Sequence, residues 1–267
     1  MRVGPGGRVL MCPPDHYGIY YEINPWMSMA KPANRDLARR EWETLYDLYR
    51  ELGVKVELMD AVEGLPDIVF TANAGVASED LFIPTNFRYP ERQGEEKHYL
   101  AWFQAHGYRI ERLPAGYYFE GMGDVKLYRD LLFAGFYFRS DVRTHLMVGE
   151  KLKKLVISLE LADRRFYHLD TCFCPLDDDL VMYYPPALQD YSREAVRSHT
   201  TSRLEVTEED ALAFACNCVL VERHIVLNRV SARLRKHLES RGFTIHEVNI
   251  SEFLRAGGGV GCLTLAL

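Results

Sequence analysis

Residues 37–60 read LARREWETLYDLYRELG and then VKVELMD. The first part is amphipathic and ends on Gly53, which fits a left-handed helix cap. The second part alternates apolar and polar residues, the signature of a strand. The same succession returns at 95–114, EEKHYLAWFQAHG before YRIERLP, and at 231–250, SARLRKHLESRG before FTIHEVNI. Two less regular copies lie between. THLMVGEKLKKLVISLE (144–160) precedes RRFYHLDTCF (164–173), and TEEDALAFACNCVLVE (207–222) precedes RHIVLN (223–228). About five α/β units are therefore expected. No Ser-, Gly- or Pro-rich stretch is long enough to serve as a linker. The pattern predicts one closed, repetitive α/β domain over residues 1–267.

Composition agrees. At 267 residues the chain is long for one ordinary domain and short for two. Nearly half of it (48%) is hydrophobic, with 16 Tyr and 13 Phe, enough for a sizeable core. A formal charge of −6 leaves no electrostatic footprint for nucleic acid and slightly favours a cationic small substrate. The start MRVGPGGRVLMCPP has no apolar run of signal-peptide length, and no segment approaches a bilayer span. The six cysteines are expected as reduced thiols of a cytoplasmic protein. A homo-oligomer is compatible with all of this. The polar run Pro90–Lys97 (PERQGEEK) reads as a mobile loop over a site or as a solvated loop.

Unusual polar residues collect after the β-rich runs, in EINPWM, PDIVFTANAG, FEGMGD, YHLDTCF and AGGGVGCLTLAL. A central site on a pseudo-symmetry axis needs that distribution. In the last run Cys262 follows Gly257, Gly258, Gly259 and Gly261. Glycines let backbone pass close to a ligand, and N–H groups there are expected to lower a thiol pKa. A buried core thiol opening the strand CLTLAL fits the bare composition equally well. His168 and Asp170, two apart in YHLDT, would point the same way on a strand. A Cys nucleophile needs such a partner, although a lone HxD more often marks a core histidine.

Glu120 sits among aromatics and glycines and should be desolvated or paired with a cation, whereas Asp124 reads as a turn residue. Asp67 and Asn73 share a face if PDIVFTAN is extended, and a carboxylate with an amide suits a guanidinium. Arg88, Arg92, Arg139 and Arg143 are candidates for a substrate carboxylate, which arginine binds bidentately. The CxC pairs Cys172/Cys174 and Cys216/Cys218 lack the usual zinc spacing, so alternate strand positions are the simpler account, with no metal.

In this order, from about residue 10 to the end, these residues resemble the guanidino-group-modifying enzymes. That superfamily includes arginine deiminases, dimethylarginine dimethylaminohydrolases, amidinotransferases and arginine dihydrolases. The resemblance implies the pentein fold, a five-bladed α/β propeller with pseudo-fivefold repeats. It makes Cys262 the nucleophile, His168 the acid/base and Glu120 the carboxylate that orients His168 and binds guanidinium. Asp170 would grip the guanidinium. Arg139, in GFYFRS, looks like the carboxylate-binding arginine of the family's GxSxRT element, although Tyr137 and Ser140 depart from it and Arg143-Thr144 is the alternative. Arg92 falls where relatives carry a second such arginine.

Asn73, in TANAG, and Asn24, in EINPWM, look like the arginine dihydrolases, because deiminases and dimethylarginine hydrolases carry Asp at the position of Asn73. A neutral amide both donates and accepts, which suits retention of a ureido intermediate for a second hydrolysis. The implied reaction takes arginine to ornithine, ammonia and carbon dioxide without cofactor. A one-step deiminase or dimethylarginine hydrolase and an amidinotransferase are the neighbouring alternatives. Non-catalytic penteins, such as ribosome anti-association factors, lack the Cys–His–Glu set.

Overall fold

The structure, a computed structural model, describes residues 1–4 and 6–267. A ββαβ motif repeats around a centre. β1 (Arg2–Val3) precedes β2 (Arg8–Met11); helix α1 (Arg35–Glu51) then leads to β3 (Lys55–Leu58), parallel to β2. Next come β4 (Gly75–Ser78), β5 (Leu81–Pro84), α2 (Glu96–Ala105) and β6 (Arg109–Ile110). The third unit holds β7 (Val125–Tyr128), β8 (Leu131–Phe136), α3 (Thr144–Leu152) and β9 (Leu155–Glu160). The fourth holds β10 (Phe173–Pro175), β11 (Leu180–Tyr183), α4 (Asp190–His199) and β12 (Ser202–Glu205). The fifth holds β13 (Val219–Val221), β14 (His224–Leu227), α5 (Ala232–Glu239) and β15 (Thr244–Glu247). Finally β16 (Leu265–Ala266) pairs antiparallel with β2, Leu265 opposite Leu10, and completes the first sheet.

Each of the five sheets has one antiparallel pair and a parallel pair joined by a crossover helix, and the fifth has a second parallel pair. β1 adds to the fifth sheet alongside β13. Five such units agree with the repeats, and the arrangement is the pentein architecture that the resemblance implied.

Local chemistry explains the units. The Asn34 side chain accepts the Leu37 N–H at the start of α1, and Ala38, Trp42, Leu45 and Tyr49 form its buried stripe. The three glycines that close regular copies, Gly53, Gly107 and Gly242, have φ of 77°, 81° and 79°, as left-handed caps require.

The two irregular copies differ from the sequence reading. In the third unit the strand is LVISLE itself, while Arg164–Phe166 and Leu169–Thr171 are single 3-10 turns. In the fourth unit the crossover helix is α4, whose buried residues are Ser192 and Val196, so its stripe offers one small apolar residue where α2 and α5 each bury two large ones. TEEDAL forms a short helix at Glu208–Leu212, and CVLV and HIVL lie on the antiparallel pair β13/β14. Residues 90–97 are not a solvated loop. Pro90–Gln93 is one helical turn that carries Arg92 inward, and Glu95, the N-cap of α2, is buried beside it.

Candidate active site

The turn before each inner strand brings one residue to the centre, and four of the five carry a polar side chain or thiol. Asn73 lies two residues before β4, Gly123 two before β7, Asp170 three before β10, Asn217 two before β13 and Cys262 three before β16. The repeat therefore delivers five functional positions to one place. Two of the local conformations differ from expectation. Residues 66–69 and 71–74 are 3-10 turns, so Asp67 and Asn73 do not share a strand face, and Leu169–Thr171 is also a 3-10 turn rather than strand. A 3-10 turn repeats every three residues, so polar residues at its ends can converge without alternation.

Cys262 is 3% exposed. Its thiol donates to Asp170 Oδ2 (3.6 Å) and accepts from Asn217 Nδ2 (3.2 Å). Its backbone N–H donates to Asn217 Oδ1 (3.0 Å), so a single carboxamide grips both the main chain and the sulfur. Asn217 also accounts for two of the glycines. A Cβ on Gly259 would lie 2.4 Å from Asn217 Oδ1, and one on Gly261 would lie 3.1 Å away. The environment raises the thiol pKa well above its ordinary value, first by burial and then by the Asp170 charge, with Asn217 opposing. The lowering expected from the glycine run is present as a backbone hydrogen bond of Gly259, but burial and the Asp170 charge outweigh it.

His168 Nε2 pairs with Glu120 Oε2 at 2.8 Å, and Nδ1 takes no protein partner among the described residues. The same Glu120 oxygen accepts Arg139 Nη1 at 2.9 Å, while Oε1 accepts the Arg88 N–H (3.3 Å). Glu120 is fully buried. Burial alone would raise its pKa, but Arg139 and His168 hold the carboxyl well below the usual range. Arg139 lies between the rings of Tyr89 and Tyr167, each centroid 4.6 Å from Cζ, and donates to Ile23 O (3.1 Å). Arg143 is exposed and paired with Asp141.

Arg92 forms a fork with Glu95, Nε to Oε1 at 2.9 Å and Nη2 to Oε2 at 2.8 Å. It also donates to Asp67 O (3.1 Å) and Asn73 Oδ1 (2.9 Å). Asn73 Nδ2 donates to Glu120 O (3.2 Å). Asp67 and Asp170 each keep one buried carboxylate oxygen without a hydrogen-bond partner among the described residues. Burial raises the Asp67 pKa against the pull of Arg92. Asn24 is half-buried. Its Nδ2 donates to Ala256 O (3.0 Å) and its Oδ1 accepts Trp26 N–H (2.9 Å), which pins residues 23–27 beside the glycine run.

Sequence reasoning passed over Asn217, which looked like filler between two cysteines, and over Glu95. Asp124 is more than a turn residue, because its Oδ1 accepts the Leu169 N–H (3.0 Å) and so orients the turn between His168 and Asp170. The available signal was position. Asn217 stands before β13 as Asn73 stands before β4. Cys172, Cys174, Cys216 and Cys218 are all buried free thiols. Among the described residues no group of three or more His, Cys, Asp or Glu side chains could hold a metal.

Residues 23–267 match the family model for eukaryotic N,N dimethylarginine dimethylhydrolase. The chain is 43% identical to the bifunctional arginine dihydrolase/ornithine cyclodeaminase AgrE of Nostoc sp. strain PCC 7120, over 97% of this chain but 37% of that protein. It therefore spans little more than a third of that relative. It is 37% identical to the N(G),N(G)-dimethylarginine dimethylaminohydrolase of Mycobacterium tuberculosis, over 97% of this chain and 85% of the other. Among solved structures, the N-terminal domain of the cyanobacterial arginine dihydrolase ArgZ, bound to substrate, superposes with a TM-score of 0.94 at 42% identity and covers 97% of each chain.

Proposed function

The chain belongs to the N,N dimethylarginine dimethylhydrolase family, and we propose that it is a cysteine hydrolase that acts twice on the guanidine group of L-arginine. The observation that carries the proposal is the setting of Cys262. Its sulfur lies between Asn217 Nδ2 and Asp170 Oδ2, and the other Asp170 oxygen is buried and unpartnered. A buried, uncompensated carboxylate beside a thiol suits a cationic planar group. Likeness to arginine dihydrolases, including one with substrate bound, supports arginine over other cations.

In the empty site the thiol is reluctant to ionise. A guanidinium seated on Asp170 and Asp67 cancels the Asp170 charge at the sulfur and adds a positive one, so substrate binding itself favours the thiolate. The sulfur adds to the guanidinium carbon. His168 gives a proton to the departing ammonia through Nδ1, and Glu120 on Nε2 stabilises the protonated ring. Water activated by the neutral His168 then displaces the sulfur, giving citrulline. Repetition on the ureido carbon releases a second ammonia and carbon dioxide and leaves ornithine. No cofactor takes part.

Asn73 favours the second round. Its amide faces Glu120 O with a donor and Arg92 with an acceptor, so an aspartate there would set one carboxylate oxygen against the Glu120 carbonyl. Arg139, stacked between two tyrosines, is the best-placed guanidinium for the substrate carboxylate. Asn24 acts by holding the strap that covers the site, which must shift for arginine to enter because the residues named are buried.

The whole chain works as one catalytic domain in the cytoplasm, on a free amino acid rather than nucleic acid. A net charge of −6 and six unpaired cysteines suit that setting. Self-association is not needed to complete the site, since every residue named comes from one chain. Rapid quenching with arginine followed by peptide mass analysis should find the substrate-derived adduct on Cys262. Turnover that persists undiminished in Cys262→Ser would overturn the mechanism.

A further inference from the structure

The proposed reaction makes no use of the two CxC runs. The fold brings them together across adjacent blades. Cys218 Sγ donates to Cys174 Sγ at 3.4 Å, and both side chains are buried. These two cysteines are also next to the groups that hold Cys262. Cys218 follows Asn217, and Cys174 stands four residues after Asp170, on the strand that this turn enters. A separate recess of about 380 Å³, bounded by Met1, Lys126 and Pro175 among others, reaches the neighbourhood of Cys174.

We propose that Cys174 and Cys218 are an oxidation site that a hydroperoxide converts to a disulfide, and that this bond draws Asn217 and the Asp170 turn away from Cys262. The unbonded sulfurs must close from 3.4 Å to a disulfide length of about 2.05 Å, a movement of more than an ångström shared between the middle of β10 and the residue just before β13. Asn217 makes four hydrogen bonds within this arc, to Cys262 N, Cys262 Sγ, Asp170 O and Gly261 N, so it cannot follow Cys218 without disturbing them.

The chemistry balances with one peroxide. The Cys174 thiolate attacks a peroxide oxygen, forms a sulfenic acid and expels hydroxide, which takes up the proton the thiol released. The Cys218 thiol then attacks the sulfenic sulfur, forming the S–S bond and releasing water. Two thiols are oxidised, and one hydrogen peroxide is reduced to two waters. The hydrogen bond from Cys218 favours the Cys174 thiolate against the cost of burial, which gives Cys174 the role of first attacker. A dithiol buried beside a reactive thiol is otherwise a liability.

The test uses the unmodified protein. After graded hydrogen peroxide and a rapid alkylating quench, unreduced peptides are mapped by mass, and alkylation of Cys262 by iodoacetamide is followed in parallel. The expected result is a peptide joining Cys174 to Cys218, a several-fold change in the Cys262 alkylation rate, and return of both to the starting state with dithiothreitol. Cys174→Ala should remove the cross-link and the reversible change together. Absence of the cross-link while other cysteines oxidise, or a cross-link that leaves the Cys262 rate unchanged, overturns the proposal. Neither readout requires arginine turnover, so failure here is distinct from failure of the proposed reaction, although the link to catalysis rests on Cys262 as nucleophile.

Discussion

Two buried arginines, Arg92 and Arg139, are partnered in different ways. Arg92 has two carboxylates beside it, Glu95 in direct contact and Asp67 Oδ2 at 4.0 Å. Glu95 receives its fork, and Asp67 O and Asn73 take the remaining contacts, so the charge is compensated within one short helical segment and the turn beside it. Arg139 shares its carboxylate. The oxygen of Glu120 that it touches also receives His168, and the guanidinium is otherwise held by two aromatic faces and one carbonyl. An ion pair set apart from the histidine fixes geometry. A shared one links the proton on His168 to the position of Arg139, and through it to whatever Arg139 holds. From this comparison we propose that the Arg92 side acts chiefly as scaffold and the Arg139 side as machinery.

Removing the shared carboxylate breaks the comparison most severely. Glu120→Gln should lower kcat/KM by about 10³-fold, because His168 loses its charged partner, and should cost about 3 kcal/mol of stability by leaving Arg139 uncompensated. The pH dependence follows with its sign. The folded-state pKa of Glu120 lies below its ordinary 4.5, so its contribution is complete above that pH and is lost as pH falls below it. Urea midpoints measured across the acid range should decline for the native chain and decline less for the variant. A variant within about tenfold of native activity would mean that the sharing does not matter to turnover, since general acid–base help is worth at least about 10²-fold.

Asn217→Ala should lower kcat/KM by roughly 10- to 100-fold, the loss of one or two hydrogen bonds to a developing thiolate. The pH at which free Cys262 becomes half-maximally reactive to iodoacetamide should move upward, because Asn217 is among the groups that oppose burial there. An unchanged alkylation profile would remove Asn217 from the account. Glu95→Gln sharpens the comparison from the other side. Folding should lose about 3 kcal/mol as Arg92 loses its nearest carboxylate, while kcat/KM of the folded protein falls by less than for Glu120→Gln and changes through Asn73 and Asp67. The smallest effect is expected at Arg143. The Arg143 side chain is exposed, so Arg143→Ala should leave turnover unchanged, and a clear rise in KM for arginine would move carboxylate binding to that residue.

The same contrast governs what could be read from the sequence. Elements built on strong periodicity were legible, and so were the caps at Gly53, Gly107 and Gly242. Helix α4 was not, because it buries only Ser192 and Val196 and owes its place to the closed ring rather than to its own stripe. Cys262, His168, Glu120 and Asp170 stood out because their residue types are rare in such surroundings, and the structure brings the four into two bonded pairs, Cys262–Asp170 and His168–Glu120. Asp67 and Asn73 were paired for the wrong local reason. Alternation suggested a strand, whereas two 3-10 turns and Arg92 bring them together. Asn217 and Glu95 escaped notice because their significance lies in tertiary partners, one on a sulfur 45 residues away and the other on an arginine that the sequence assigned to substrate.

The central claim is that Cys262 and its partners attack the same guanidine carbon twice. The direct measurement is a timed incubation of the purified chain with L-arginine, with arginine, citrulline, ornithine and ammonia quantified together. The account predicts that ornithine and ammonia accumulate in a ratio of one to two, and that citrulline stays low or passes through a transient. Citrulline accumulating as the end product, with one ammonia for each arginine consumed, would contradict it.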